Sequence, residues 1–271
     1  MAVTDFNGKV AVVTGAGSGM GQSLAVLLSR SGCEVAISDV NDAGLKETLA
    51  MVSPLVRVTS HHVDVANRLE VEKFAQAVVA DHGKVNLLFN NAGVSVTGLA
   101  EKISIEDFEW LMNINFWGVI YGCNSFLPHM HQVDEAAIVN TSSIFGSLAF
   151  PTQSAYNASK FAVRGYTLAL RQELRTTPIG VSCVQPGGVK TKIVASSRFI
   201  PEDNQTTSKE EFVEMFQRNA RLTSDEAAAQ ILKGVLKNKA RILVGTDAKI
   251  MSAVERIAPT WYMKIVEYLD R

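Results

Sequence analysis

Short apolar runs rich in β-branched residues alternate along the chain with longer segments of helical period. The run at residues 10–13 (VAVV) has no polar position, which is typical of a strand covered by helices on both faces of a sheet. We predict strands at residues 9–14, 34–39, 57–63, 85–90, 136–142, 181–184 and 241–244. The helical period predicts helices that include residues 22–31, 68–82, 105–126, 156–175 and 224–237.

Strand and helix alternate through the whole sequence, which favours right-handed crossovers and one parallel sheet with helices on both faces. No internal repeat, low-complexity tract or flexible linker divides the chain, so residues 1–271 are expected to form one doubly wound α/β domain. Ser104 and Thr223 immediately precede two helical segments and are typical N-cap residues. Because ligands bind such sheets outside the carboxyl ends of the strands, the segments that follow the strands are the candidate site.

The charge balance excludes some classes of protein. Lysine and arginine number 26 and aspartate and glutamate 27, so the formal net charge is −1. This balance disfavours a nucleic-acid-binding protein or one that binds an acidic membrane surface, since both select a basic face. The first seven residues lack an apolar run, and nowhere do about 18 uncharged apolar residues run together. We expect a cytoplasmic protein without a membrane-spanning segment.

Cysteine and histidine give no sign of a disulfide framework or a metal site. Cys33, Cys123 and Cys183 are far apart, lie in or beside apolar stretches, and are expected to be buried as small hydrophobic residues. His129 and His131 form an H-x-H pair without another ligand signal, which fits the solvated end of a helix better than a metal site.

A glycine-rich segment at residues 14–21 (TGAGSGMG) follows the first predicted strand directly. Glycine lets the backbone turn sharply and approach a pyrophosphate, and the helix start supplies free N–H donors. A P-loop is excluded because no lysine ends the segment, and G-x-G-x-x-G counted from Gly15 fails because position 20 is methionine. A merely structural turn is the alternative. The candidate dinucleotide contacts are Gly15, Gly17, Ser18, Gly19, Met20 and Gly21.

Asp39 ends the second predicted strand, close to the offset of about 20 residues expected for a carboxylate that accepts from a ribose hydroxyl. Such a carboxylate accepts from the 2′-hydroxyl of NAD and repels the extra phosphate of NADP. Neighbouring Ser18 and Val40 are neutral, so NAD is favoured over NADP. The alternative is that Asp39 caps the following helix.

Tyr156 and Lys160 stand four residues apart in a predicted helix and therefore share one face. A nearby ammonium stabilises a phenolate, so Lys160 is expected to lower the pKa of Tyr156 and make it a general acid/base for an alcohol oxygen. Ser143 stands at the end of the fifth predicted strand, directly after residues 136–142, and is placed to hydrogen-bond a substrate carbonyl. Ser142 is the competing candidate, although strand alternation would turn it to the opposite side.

Together these motifs resemble the short-chain dehydrogenase/reductase family. The resemblance runs in order through residues 14–21, Asp64, residues 90–93, Asn115, Ser143, Tyr156, Lys160 and residues 186–191. It implies a seven-stranded Rossmann-type sheet, a nicotinamide cofactor and a homo-dimer or homo-tetramer. It also implies that Tyr156 is the general acid/base, that Ser143 polarises the substrate oxygen and that Lys160 holds the nicotinamide ribose.

The resemblance also assigns roles to further residues. It implies that Asn115 relays protons through water to Lys160, while Asn113 is in the wrong register for the family's N-x-x-G spacing. The remaining cofactor contacts that it implies are Asp64 and Val65 near the adenine, Asn91, Ala92 and Gly93 beside the adenosine ribose, and Pro186, Gly187, Val189 and Thr191 near the nicotinamide carboxamide.

The last third of the chain is less informative. Apolar residues scattered through residues 192–220 suggest a substrate lid, with ordinary helix packing as the alternative. Residues 247–271 form a predicted helical tail whose apolar stripe is expected to dock on the core, on a sister subunit or on a membrane surface.

The expected function is an NAD-dependent oxidoreductase that interconverts a secondary alcohol and a ketone, with a hydrophobic small molecule as substrate. Two alternatives stay open: an NAD-using epimerase or dehydratase with the same tyrosine–lysine chemistry, and a catalytically idle nucleotide-binding regulator.

Overall fold

The computed structural model of the chain describes residues 3–201 and 208–264. Within these residues nine strands are formed, most of them from the apolar runs that the sequence separates by helical segments. They are β1 (Val10–Thr14), β2 (Glu34–Asp39), β3 (Val58–His62), β4 (Leu87–Asn90), β5 (Val96–Thr97), β6 (Ala136–Thr141), β7 (Ile179–Pro186), β8 (Arg198–Phe199) and β9 (Arg241–Val244).

Seven of these strands form one sheet in the order β3-β2-β1-β4-β6-β7-β9, and every neighbouring pair is parallel. The predicted seven-stranded Rossmann-type sheet is therefore confirmed. The chain begins at the middle of the sheet, builds outward through β3, and then returns past β1 to build the other half. The crevice between the loops after β1 and β4 lies at this reversal, where doubly wound folds bind their ligands.

The α-helices cover both faces of the sheet. In chain order the described helices are α1 (Gly19–Arg30), α2 (Asp42–Met51), α3 (Arg68–His82), α4 (Ile105–Met112), α5 (Gly118–Met130), α6 (Ser154–Glu173), α7 (Lys209–Asn219), α8 (Ser224–Leu236) and α9 (Thr246–Ile257). A π-helical turn at Asn113–Trp117 joins α4 to α5, and a short 3-10 turn at Ile144–Gly146 follows β6.

Two hydrophobic cores lie on opposite faces of the sheet. On one face α1 and α8 pack over the strands, with Leu28 and Ile231 fully buried between them. On the other face α3, α5 and α6 pack over the strands, around Phe126 and Val163. The three cysteines are buried and unpaired, as predicted. Strands buried on both faces explain why the sequence shows continuous apolar runs instead of alternation.

Several predicted boundaries change. Helix α1 begins at Gly19, so the last glycines of the predicted loop form its first turn. The predicted helix 105–126 is interrupted by the π-helical turn and extends to Met130. Strand β6 ends at Thr141, so Ser143 follows the strand instead of ending it. The caps at Ser104 and Thr223 are confirmed.

Asn86 joins three strands at the opposite edge of the sheet from the crevice. Its side-chain oxygen accepts from the Val10 amide at 3.1 Å, and its amide nitrogen donates to the Glu135 carbonyl at 3.0 Å. The residue is almost fully buried. Its side chain thereby satisfies backbone groups just before β6 and at the start of β1, where the sheet ladder does not reach them.

We predict that Asn86→Ala lowers the free energy of unfolding by about 2–4 kcal/mol, because it leaves a buried donor and a buried acceptor unpaired. Urea denaturation measures this change. The matched control is Asn124→Ala on the exposed side of α5, expected to stay within about 0.5 kcal/mol of the parent. Equal effects of the two substitutions would contradict the assignment.

Candidate active site

The glycine-rich segment folds tightly against the loop after β4. Gly15 has φ +66°, and a Cβ there would lie 2.7 Å from the Cα of Ala92. A Cβ on Gly21 would overlap the carbonyl oxygen of Gly15 and lie 2.6 Å from Nδ2 of Asn91. Side chains at these two positions would therefore push apart the two loops that border the crevice.

The start of α1 suits a phosphate group. Ser18 is its N-cap but makes no side-chain cap, and no acidic residue lies in the first turn. The first N–H groups of a helix lack partners within the helix and carry partial positive charge. A diphosphate can accept hydrogen bonds from these groups, and its negative charge is attracted to them. The residues present therefore fit a dinucleotide. Gly19 faces Thr191, since a Cβ there would lie 3.3 Å from the threonine methyl, and Met20 packs on the core.

Asp39 lies at the rim of the same crevice. Its carboxylate accepts from the Gly17 amide at 2.8 Å and from the Asn41 amide at 3.0 Å. The alternative interpretation of Asp39 as a helix cap is wrong, because Asn41 caps α2 by accepting from Gly44. A Cβ on Gly17 would lie 2.9 Å from Asp39, so only glycine leaves the carboxylate its place beside the loop.

The loop after β4 is tied to the end of β1. The Thr14 hydroxyl accepts from the amides of Asn91 and Ala92 at 3.0 and 3.1 Å. The Asn91 side chain returns the contact by donating to the Thr14 carbonyl at 3.1 Å. Gly93 ends this loop inside the site, where an added Cβ would lie 3.3 Å from Nζ of Lys160. Sequence reasoning did not single out the Thr14 side chain, although its hydroxyl holds the crevice together.

Ser143 caps the 3-10 turn after β6. Its backbone is extended, with φ −161°, and its hydroxyl accepts from the Phe145 amide at 3.1 Å. The hydroxyl also lies close enough to Tyr156 to lower the pKa of the phenol somewhat. Ser142 turns the other way, and its buried hydroxyl donates to the Lys160 carbonyl at 2.7 Å. Of the two candidate serines, Ser143 is therefore the one beside the tyrosine.

Tyr156 and Lys160 lie one turn apart near the start of α6. The Lys160 ammonium is buried, donates to the Thr141 carbonyl at 3.0 Å and lies 5.5 Å from the centre of the Tyr156 ring. Strand β6 ends at Thr141 and α6 packs behind it, so the fold brings the hydroxyl, the phenol and the ammonium together as the spacing predicts.

The pKa of Tyr156 departs from its ordinary value in the opposite direction to the prediction. Withdrawal of the hydroxyl from water raises its pKa to about 12, and hydrogen bonding with Ser143 offsets only part of this rise. Burial likewise lowers the pKa of Lys160 to about 8. The ammonium lies over the ring and is bonded to Thr141 instead of the phenol oxygen. At neutral pH, Tyr156 therefore carries its proton and Lys160 its charge.

Asn115 lies in the π-helical turn and is fully buried. Its side chain accepts from the Val94 amide at 2.8 Å and donates to the Val94 carbonyl at 3.0 Å and to the Ser159 hydroxyl at 3.1 Å. The Ser159 hydroxyl donates in turn to the Tyr156 carbonyl. Asn115 thus joins the loop after β4 to α6, and its role in a proton relay stays a prediction.

The other predicted cofactor residues border the crevice or support it. Val65 packs against Gly118 and lines a narrow cleft with Ala92. The Asp64 side chain accepts from the Ala66 amide at 2.9 Å.

Pro186 ends β7, and the following turn is held by Asp247, which accepts from the Gly188 amide at 2.6 Å. A Cβ on Gly187 would overlap Asp247. Val189 forms an isolated parallel β-bridge with Leu222. Asp247 is a supporting residue that the sequence did not indicate.

Apolar side chains form a wall beside Tyr156. The Phe145 ring meets the tyrosine ring edge-on at 6.1 Å and stacks on Phe150 at 4.4 Å. Arg198 lies 3.6 Å over the Trp110 ring and pairs with Asp107 at 2.7 Å. Most of this wall comes from segments that the sequence did not connect. Its further apolar residues are Val94, Val96, Ile103, Phe108, Leu111, Ala155 and Ile200.

The predicted lid and tail are only partly described. Helix α7 has no buried residue, and its Gln217 donates to the Thr191 carbonyl at 2.9 Å, beside the crevice. Residues 202–207 of the predicted lid and 265–271 of the predicted tail lie outside the described residues. Tyr262 packs on the loop after β6, where its hydroxyl accepts from the Ala149 amide at 3.1 Å. That part of the tail docks on its own core, while Trp261 is exposed.

No helix in ranges 3–201 and 208–264 is long and apolar enough to cross a membrane. In the same ranges, no group of three or more histidine, cysteine or acidic side chains is arranged to hold a metal ion.

Comparison with known proteins identifies the family. The model of the short chain dehydrogenase family matches residues 9–199. The chain therefore belongs to the short-chain dehydrogenase/reductase family and is an oxidoreductase of that family.

Three similar proteins cover nearly the whole chain. Mycobacterium tuberculosis SadH, named as an oxidoreductase, is 44% identical over 97% of this chain and 96% of its own length. The cyclohexanol dehydrogenase of Acinetobacter sp. strain SE19 is 31% identical over 89% of this chain and 93% of its own. A Burkholderia phymatum family member, solved in complex with NAD, is 32% identical with a TM-score of 0.85 over 94% of this chain and 95% of that one.

We predict that Gly21→Ala lowers the melting temperature by about 5 °C or more, because the added methyl group overlaps the Gly15 carbonyl at a site with no room. The matched control is Gly165→Ala in α6, where nothing lies within 4 Å of the added carbon. That change is expected to be neutral or to stabilise by up to about 1 kcal/mol. Scanning calorimetry compares the two, and equal melting temperatures would contradict the tight packing of the first loop.

Proposed function

We propose that the protein is an NAD-dependent oxidoreductase that interconverts a secondary alcohol and a ketone on a hydrophobic small molecule. The single observation that carries the proposal is the meeting of Ser143, Tyr156 and Lys160 at the mouth of a crevice whose glycine-rich loop fits a dinucleotide. The family membership agrees with this chemistry.

The geometry supports a separate role for each of the three residues. A bound nicotinamide dinucleotide would supply the hydride chemistry, held by the start of α1 and by Asp39. The Ser143 hydroxyl orients and polarises the substrate oxygen. Tyr156 is protonated at neutral pH, so it donates a proton to the substrate oxygen during ketone reduction. In alcohol oxidation Tyr156 first releases its own proton to solvent, and the phenolate then accepts the hydroxyl proton of the alcohol. The Lys160 charge stabilises negative charge that develops on the phenol.

Asp39 supports the preference for NAD. The Gly17 and Asn41 amides orient its carboxylate at the crevice rim, where it can accept from a ribose 2′-hydroxyl. A second negative charge, the 2′-phosphate of NADP, would be repelled there. The family structure solved with NAD agrees with this preference.

The apolar wall supports a hydrophobic substrate. The Phe145 ring contacts the tyrosine ring edge-on, and Ile200 packs in the same apolar cluster as Tyr156. A relative is named as cyclohexanol dehydrogenase, and another, from Bacteroides thetaiotaomicron, as 3-ketodihydrosphingosine reductase; both names describe alcohols or ketones with large apolar parts. We further propose a cytoplasmic homo-dimer or homo-tetramer, whose contacts would cover exposed apolar side chains such as Trp117 and Phe161.

We predict that Tyr156→Phe lowers turnover of secondary alcohols by about 10²-fold to 10⁴-fold, because it removes the proton-transfer group. Cyclohexanol, hydroxysteroids and aliphatic alcohols form the test panel, followed through nicotinamide absorbance. The dissociation constant of NADH, measured by fluorescence, is expected to stay within about threefold of the parent, since the ring that packs near the site is retained.

The matched control for the tyrosine is Tyr121→Phe, which removes a hydroxyl from a partly buried ring that stacks on Trp117. Its turnover is expected to equal that of the parent. Full activity in Tyr156→Phe would refute the proposed chemistry. Conversion of a substrate without a net change in nicotinamide absorbance would favour the epimerase or dehydratase alternative, and NADH binding without any turnover would favour the idle regulator.

We predict that Asp39→Asn lowers the ratio of NADPH to NADH dissociation constants by about tenfold, because it removes the charge that repels the 2′-phosphate. Fluorescence titration measures both constants without a substrate. Asp42→Asn is the matched control: this nearby carboxylate is paired with His62 at 2.9 Å, and its loss is expected to change the ratio by less than about threefold. An unchanged ratio in Asp39→Asn would show that Asp39 does not select the cofactor.

A further inference from the structure

Gln185 lies at the centre of a polar network behind the catalytic serine. It sits near the end of β7 and is fully buried. Its side-chain nitrogen donates to the Ser143 carbonyl at 3.2 Å and to the Ser147 hydroxyl at 2.8 Å, and its side-chain oxygen accepts from Nε of Arg241 at 2.7 Å. Both hydrogens of this buried amide therefore donate a hydrogen bond, and its oxygen accepts one.

Arg241 fixes which way the amide points. A guanidinium group has donors only, so the atom of Gln185 that faces it must be the oxygen. The amide nitrogen must then face Ser143 and Ser147, where it finds two acceptors. Without the arginine, an amide rotated by 180° would present its oxygen to the Ser143 carbonyl, and two acceptors would repel each other.

Arg241 is itself held in place. Its Nη2 donates to the Ser147 and Ser252 hydroxyls at 3.3 and 3.1 Å, so it spans from β9 to α9. Arg164 of α6 donates to the same Ser147 hydroxyl at 2.9 Å and to the Gly146 carbonyl at 3.2 Å. Helix α6, strands β7 and β9 and helix α9 thus meet on the turn that follows Ser143.

We propose that Gln185 and Arg241 are positioning residues for Ser143: the arginine orients the amide, and the amide holds the backbone of the serine so that its hydroxyl faces Tyr156. This inference rests on the proposed role of Ser143. The Ser143 carbonyl also accepts from the Gly146 amide at 2.9 Å, so loss of Gln185 loosens the turn without dissolving it. The expected consequence is a slower chemical step with little change in cofactor binding.

Gln185→Glu separates positioning from mere stability. The carboxylate pairs with Arg241 and can accept from the Ser147 hydroxyl, so the melting temperature is expected to stay equal or to rise. This carboxylate has no hydrogen to donate to the Ser143 carbonyl, and its negative charge repels the carbonyl oxygen. We expect kcat to fall by about 10-fold to 100-fold, because a small misplacement of a catalytic group has effects of this order. KM and the dissociation constant of NADH are expected to stay within about threefold.

A second pair of variants tests the arginine, whether or not the first variant folds. Arg241→Lys keeps a donor that can face the Gln185 oxygen and is expected to retain kcat within about threefold, whereas Arg241→Met frees the amide and is expected to lower kcat by about tenfold. Arg256→Met, which removes an exposed charge from α9, is the matched control and is expected to leave kcat unchanged. Parental kcat in both Gln185→Glu and Arg241→Met overturns the proposal.

Crystal structures of Gln185→Glu and Arg241→Met give a readout that does not need turnover. The proposal expects the side chain of residue 185 to move beyond hydrogen-bonding distance of the Ser143 carbonyl in both variants. An unmoved side chain in both refutes the positioning network even if no alcohol is a substrate. Inactivity of the parent protein towards every alcohol and ketone, with the side chain displaced as expected, refutes the proposed function and leaves the network established.

Discussion

A reciprocal pair of hydrogen bonds between α6 and the end of β6 holds the proposed chemistry in place. The Lys160 ammonium donates to the Thr141 carbonyl, and the Ser142 hydroxyl donates back to the Lys160 carbonyl. Both contacts are buried, so neither competes with water. Because the helix cannot slide along the strand without breaking them, Tyr156 stays opposite Ser143. The position of the Lys160 ammonium, the orientation of Tyr156 and the packing of α6 on β6 all depend on these two hydrogen bonds.

The same sheet edge supplies the cofactor crevice, through a different set of contacts. Strands β1 and β4 are neighbours, and the Thr14 hydroxyl joins the loops that follow them. Glycines at positions 15 and 21 let these loops approach each other to a distance that no side chain would permit.

The site also keeps a desolvated lysine and a desolvated phenol side by side, an arrangement that costs stability and is typical of functional sites.

The sequence predicted the sheet, the order of its elements and the proximity of Ser143, Tyr156 and Lys160. These depend on local spacing: the four-residue step from Tyr156 to Lys160 is fixed by helix geometry. It could not predict the contacts that join distant segments. Arg198 meets Trp110, and Arg241 meets Gln185, only because the chain folds back on itself. The predicted direction of the pKa change at Tyr156 was wrong for the same reason, since burial by the surrounding fold raises this pKa.

The central claim is that one substrate oxygen lies between the Ser143 hydroxyl and the Tyr156 hydroxyl. The most direct measurement is a crystal structure of the protein with NAD and a non-reacting alcohol or ketone analogue. We expect the analogue's oxygen at about 2.5–3.0 Å from both hydroxyl oxygens, the ordinary range for such hydrogen bonds. An analogue bound in the crevice with its oxygen directed away from these two hydroxyls would contradict the account.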